Sequence, residues 1–162
     1  MSAVAVFGPM APPAIAEMYA KAGITDGLSE TENDLAENVR RIAAQPLIHQ
    51  PGAQWSYGLN TDVLGRLVEV VSKKPFGEVL EERLFGPLGM VDTGFFVPSE
   101  KQERLAKVYR TDRGPGKIEA LADGITQIDH LVFSPSYPYA GARRYQSGGG
   151  GLVTTAMDYA RF

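Results

Sequence analysis

Apolar residues return at three- and four-residue intervals along several stretches of the chain, each bounded by proline or glycine, and this spacing predicts helices. After Pro12 and Pro13, the residues Ile15, Met18, Tyr19 and Ala22 share one face, giving a helix from Pro12 to Ala22 with Gly23 as a left-handed cap. A second helix is predicted from Asp34 to Ala44, with Leu35, Val39 and Ile42 as its stripe, Pro46 as its stop, and Glu37, Arg40 and Arg41 on a solvated face. The strongest pattern runs from Thr61 to Ser72, where Val63, Leu64, Leu67, Val68 and Val71 line one side and Asn60 or Thr61 is placed to cap. Pro75 suits a first helical turn, and Phe76, Val79, Leu80, Leu84 and Phe85 continue an amphipathic helix that Gly86-Pro87 should end.

Beyond Glu103 the texture changes. Leu105, Val108 and Tyr109, the turn-rich DRGPG and then KIEAL read as a β-hairpin. Phe133 to Gly151, rich in proline and glycine, reads as a long loop of the kind that often carries function. TTAMDYARF opens a last helix on a capping-box pattern from Thr155 to Asp158. The expected fold class is α+β, mostly helical.

Composition narrows the classes of function. A chain of 162 residues, 44% hydrophobic and 22% charged, is one globular domain or part of one. A net charge of -3 provides no positive field for nucleic acid or anionic lipid. Cysteine is absent, which removes disulfides, thiolate nucleophiles and cysteine metal sites. The opening has no basic leader, and no run approaches the roughly 20 apolar residues of a membrane span. With no signal peptide visible, a cytoplasmic location is favoured, while the entry into a helix without a leading strand suggests a truncated start.

Few residues then remain as chemistry. The two histidines, His49 and His130, stand far apart without paired carboxylates, so neither a metal site nor a cofactor is expected. No serine sits in G-x-S-x-G, and the glycine run after Ser147 lacks the Lys-Ser/Thr of a phosphate loop. The basic pairs Lys73-Lys74 and Arg143-Arg144 read as solvated surface, and Trp55 as an aromatic packed against its turn. Tyr57, between a turn and the strongest helix, is the residue of interest. A phenol of ordinary pKa about 10 acts as a base at neutral pH only with a cation beside it, so Tyr57 needs a lysine partner and a nucleophile to serve.

The run PLIHQPGAQWSYGLNTDVLGRLVEVVSKKPFGEVLEERLFGPLGM from Pro46 to Met90, with VDTGFFV after it and GGGGLVTTAMDYARF later, resembles the serine β-lactamase and penicillin-binding-protein-like superfamily. Its ordered features, PG-x-x-W-x-Y, F-x-PLGM-x-DT and GGGGL-V-x-T-A-x-DYARF, are most similar to the class C-like branch and the family VIII carboxylesterases. The resemblance implies a partial β-lactamase/transpeptidase-like fold, a helical subdomain with part of the α/β domain. It also implies an acyl-enzyme mechanism in which Ser-x-x-Lys supplies nucleophile and lysine, and in which Tyr57 carries the proton. Neither Ser-x-x-Lys nor a Lys-Thr-Gly-like strand occurs in the chain, so residues 1–162 are expected to be an internal segment of one such domain and inactive alone. The resemblance further puts Leu59 at the substrate, in place of the asparagine whose amide serves β-lactam and peptide substrates, and has Gly148, Gly149, Gly150 and Gly151 border the acyl pocket. Tyr-x-Leu points to a carboxylesterase of small acyl esters, with a β-lactamase or D-alanyl-D-alanine carboxypeptidase relative, or a non-catalytic binding protein on the same scaffold, as alternatives. The implied partner is a small ester or amide; oligomeric state is left open.

Overall fold

The structure, a computed structural model, describes residues 12–111, 116, 118–128 and 131–162. Helix α1 (Pro13–Lys21) begins on a proline whose missing N–H costs nothing in a first turn. It ends as the sequence predicts: Gly23 has φ +64°, its N–H donates to the Ala20 carbonyl and that of Ile24 to Tyr19, which satisfies the last carbonyls and turns Ile24 back onto Tyr19. Helix α2 (Leu35–Ala43) is capped by Asp34, which accepts from the Glu37 N–H at 2.7 Å. Its polar face is an ion-pair cluster, Glu37 accepting from both Arg40 and Arg41, and these guanidiniums hold the Glu37 carboxyl down to about 2. Tyr19, Ile24, Ile42 and Leu59 form the buried core between α1, α2 and the entry to α3.

Helix α3 (Asn60–Ser72) has the predicted length, but its burial departs from the predicted stripe. Leu64, Leu67 and Val71 are exposed, and the buried residues are Asp62 and Gly65. The reason is close packing on the other side. A β-carbon at Gly65 would stand 3.2 Å from Leu35 and 3.3 Å from the Phe76 ring, so α2 and the next helix approach α3 through the one residue that has no side chain. Neither Asn60 nor Thr61 caps the helix; the cap position is Leu59, without a side-chain hydrogen bond, and the Asn60 amide reaches back to the Ser56 carbonyl.

The next helix does not stop at Gly86-Pro87. Helix α4 (Phe76–Leu80) passes into a π turn (Glu81–Phe85) and on into a last turn, α5 (Gly86–Leu88). Proline cannot donate to the ladder, and the wider turn absorbs that loss, with the Gly86 N–H reaching the Glu81 carbonyl. Gly89, at φ +65°, then closes the helix, and Met90 donates to the Phe85 carbonyl. A 3-10 helix (Ser99–Arg104), with no counterpart in the predicted elements, leads to the expected hairpin of β1 (Tyr109–Thr111) and β2 (Ile118–Ala120), antiparallel with Arg110 opposite Glu119. Asp112–Pro115 of its turn lie outside the described residues. A second, unpredicted hairpin pairs β3 (Thr126–Ile128) with β4 (Leu131–Phe133). Helix α6 (Ala156–Arg161) starts on the predicted cap, Thr155 accepting from the Asp158 N–H.

Replacing Gly65 with valine should force α2 and α4 away from α3 and cost about 1–3 kcal/mol, read as a lowered urea midpoint at unchanged m-value.

Candidate active site

The segment before α3 is a tight turn with Gly52 at φ +86° and the Ala53 N–H donating to the Gln50 carbonyl. His49 spans it: Nδ1 lies 2.9 Å from the Gln50 carbonyl and donates to it, and Nε2 lies 2.8 Å from the Ser56 hydroxyl. Trp55 is 70% exposed and does not pack into the turn as expected; its ring lies 6.4 Å from that of Tyr57 between centroids. Tyr57 itself is 56% exposed, its ring standing at the surface.

Two residues on, the backbone turns inward. Leu59 is 7% exposed and belongs to the core with Tyr19, Ile24 and Ile42. An isobutyl group gains about 1.5–3 kcal/mol by such burial, and packing is the state it takes here.

One turn later Asp62, 1% exposed, organises the neighbourhood. Its Oδ1 accepts from the Tyr145 hydroxyl at 3.0 Å and the Gly148 N–H at 3.2 Å, and the carboxylate also accepts from the Ser147 hydroxyl. Tyr145 is held in turn by Asn38, whose amide donates to its oxygen at 2.6 Å and bonds the Thr25 backbone in both directions. Burial raises the Asp62 carboxyl above the usual range against these hydrogen bonds, and burial together with the Asp62 charge raises the Tyr145 phenol. Asp26 is raised as well, by burial first and the Asp62 charge last.

The glycine run hangs on this network. A β-carbon at Gly148 would fall 2.0 Å from the Thr61 carbonyl oxygen, so only glycine lets the loop lie against the first turn of α3. The N–H groups of Gly149 and Gly150 both donate to the Ser147 hydroxyl oxygen at 3.1 Å, and Gly151 turns the chain at φ +84°. The structure therefore brings Gly148 and Gly149 to Thr61 and Asp62, at the start of the helix that Tyr57 precedes, while Leu59 points away into the core. Sequence reasoning missed Asp62, Tyr145, Ser147 and Asn38. The one signal available was an acid among the apolar residues of α3. His130 lies outside the described residues.

The beta-lactamase family model matches residues 16–162. The chain belongs to the beta-lactamase family. Esterase EstB of Burkholderia gladioli is 37% identical over 150 residues, covering 89% of this family member and 37% of EstB. Lovastatin esterase of Penicillium rubens is 28% identical over 130 residues, covering 80% of this chain and 30% of that enzyme. The solved structure of EstCE1, a hydrolase with promiscuous acyltransferase activity, superposes with a TM-score of 0.81 at 28% identity over 99% of this chain and 42% of EstCE1. This beta-lactamase-family chain spans about a third of the length of these curated relatives, and its fold is part of the β-lactamase/transpeptidase-like fold.

The two raised aspartates give a pH test. In the folded chain the charged form of Asp26 is disfavoured, so its contribution to stability is full below its ordinary value of 3.8 and is lost as pH rises through the higher folded value. Asp26→Asn keeps the acceptor for the Leu28 N–H and removes that charge. The variant should unfold at higher denaturant than the parent at pH 7, with the gain vanishing as both are titrated below pH 3.8.

Proposed function

We propose that the chain is part of a serine hydrolase that cleaves small acyl esters through an acyl-enzyme, with Tyr57 as the proton carrier. The observation that carries this reading is the setting of Tyr57: its ring is exposed at the surface while the backbone on its C-terminal side is fixed by Leu59 in the core and Asp62 in its network. A proton carrier needs that combination, an accessible oxygen on a support that does not move. In this reading the serine and lysine come from a longer polypeptide, since no serine here has a lysine three positions on. The serine oxygen attacks the ester carbonyl as its proton passes to the Tyr57 oxygen, with the lysine ammonium holding the phenolate. The phenol then protonates the departing alcohol, and a water repeats the exchange to release the acid.

The esterase assignment leans on the similarity to EstB and lovastatin esterase and on Leu59, which cannot offer a substrate amide a hydrogen bond and is turned inward besides. Gly148 to Gly151 border the acyl pocket in this proposal. Because the N–H groups of Gly148, Gly149 and Gly150 are already engaged, their part is to let the backbone come close rather than to donate to an oxyanion.

The intact gene product should hydrolyse a nitrophenyl ester faster than a chromogenic cephalosporin, and predominant cephalosporin turnover would reverse the substrate order. In it, Tyr57→Phe should lower the acylation rate by about a hundredfold or more with the circular dichroism spectrum unchanged. Unaltered turnover would return Tyr57 to the packing residues, and no hydrolysis of either substrate by the parent would favour a binding role for the scaffold.

A further inference from the structure

The basic pairs Lys73-Lys74 and Arg143-Arg144, far apart in the chain, meet in the fold. Together with Arg66 they line one groove of about 770 Å³ between the end of α3, the start of α4 and the loop before Tyr145. Two of these cations are neutralised locally, Arg66 by Glu69 at 2.9 Å and Lys74 by Glu82. Asp34, also on the groove, is occupied as the cap of α2. Among the described residues Lys73, Arg143 and Arg144 pair with no carboxylate. Three uncompensated cations thus share one concavity on a chain of net charge -3.

The backbone adds a second, independent observation. Among the described residues only two outside glycine have positive φ, Lys73 at 58° and Arg143 at 53°, and both line this groove. Lys73 occupies the left-handed position after α3, where glycine fits best and a β-carbon is disfavoured. A side chain held where glycine would be more stable is a sign of use beyond folding. The groove wall is also fixed: the Gln146 side-chain oxygen accepts from the Gly77 N–H at 2.7 Å, tying the Arg143-Arg144 loop to α4. The Arg143 guanidinium carbon lies over the Phe96 ring, 5.5 Å from its centroid.

We infer that this groove binds an anion of two or more charges, a pyrophosphate or phosphate-ester group on a small molecule. Phosphate oxygens accept from guanidinium forks and from an ammonium at once, and a multiply charged group draws on all three cations where chloride draws on one.

Inorganic pyrophosphate is the probe, titrated into the intact gene product at constant ionic strength with sodium chloride as the balance, and binding is read from the melting temperature. A saturable rise is expected. Lys73→Gly with Arg143→Gly removes two charges at positions whose backbone suits glycine, so this double variant should melt no lower than the parent yet bind pyrophosphate at least tenfold more weakly. Arg144→Gln, at an ordinary backbone position, should weaken binding several-fold and gives a second arm if the double variant does not fold. A rise no larger than chloride produces, or variants that bind as the parent does, would overturn the inference. Neither readout depends on ester turnover, so this inference and the hydrolase proposal fail separately.

Discussion

A buried carboxylate at the start of α3 sets the position of nearly everything around the candidate site. Removing a charge from water costs several kcal/mol unless its lone pairs are all engaged by well-placed donors. Asp62 offsets part of that cost with the Tyr145 hydroxyl, the Ser147 hydroxyl and the Gly148 N–H, all from a loop with no regular structure of its own. Hydrogen bonds to a charged acceptor are directional, so the loop has one placement rather than a range of them. Asn38 extends the constraint to α2 and to the Thr25 backbone. The glycines follow as consequences. Gly148 is required by the approach to Thr61, and Gly27, at φ +80°, by an approach in which a β-carbon would stand 2.7 Å from the Tyr145 ring.

That constraint gives two tyrosines different environments. Tyr145 is buried, hydrogen-bonded to a carboxylate and raised in pKa by both facts, so its proton is committed to Asp62. It is a joint. Tyr57 is 56% exposed, while Leu59, two residues on, is buried in the core. In a chain with seven tyrosines, residue type alone does not say what a phenol can do; the environment does.

Most elements were legible because their signals are local. Proline at the start of α1, aspartate before α2, threonine before α6 and glycine after α1 each act within a few residues, and each sits where the sequence places it. The stripe of α3 was read with the right period and the wrong face. Periodicity shows that an apolar side exists, whereas burial depends on which neighbour comes closest, and here α2 and α4 come in over Gly65. Gly86-Pro87 looked like a stop because proline ends a ladder; a π turn was the other way to absorb the lost donor. Tyr145 bonding Asp62 joins residues 83 positions apart, and no local pattern encodes such a contact. For the same reason two basic pairs that looked isolated in sequence became one groove in space.

The residues that carry the family resemblance are themselves mostly joints. The F-x-PLGM-x-DT and T-A-x-DYARF stretches meet through Asp158, 2% exposed, which accepts from the Asp92 N–H at 2.7 Å and the Thr93 hydroxyl at 3.0 Å. A bridge between Gly94 and Val153 continues that contact, and Arg161 reaches the Gly89 carbonyl at 2.7 Å to finish the end of α5. Asp92 faces the other way, and the guanidinium of Arg104 with the ammonium of Lys101 holds its carboxyl well below the ordinary range. Two stretches that carry the family resemblance are thus a single hydrogen-bonded seam between the turn after α5 and the start of α6. A seam of this kind constrains the fold whatever reaction the fold is put to, because it acts on backbone position and touches no reacting atom. One fold can host different chemistries, and what discriminates among them must lie where a side chain is left open to a ligand. On this chain Tyr57, 56% exposed, lies outside that seam, in the stretch that leads into Asp62 and its network.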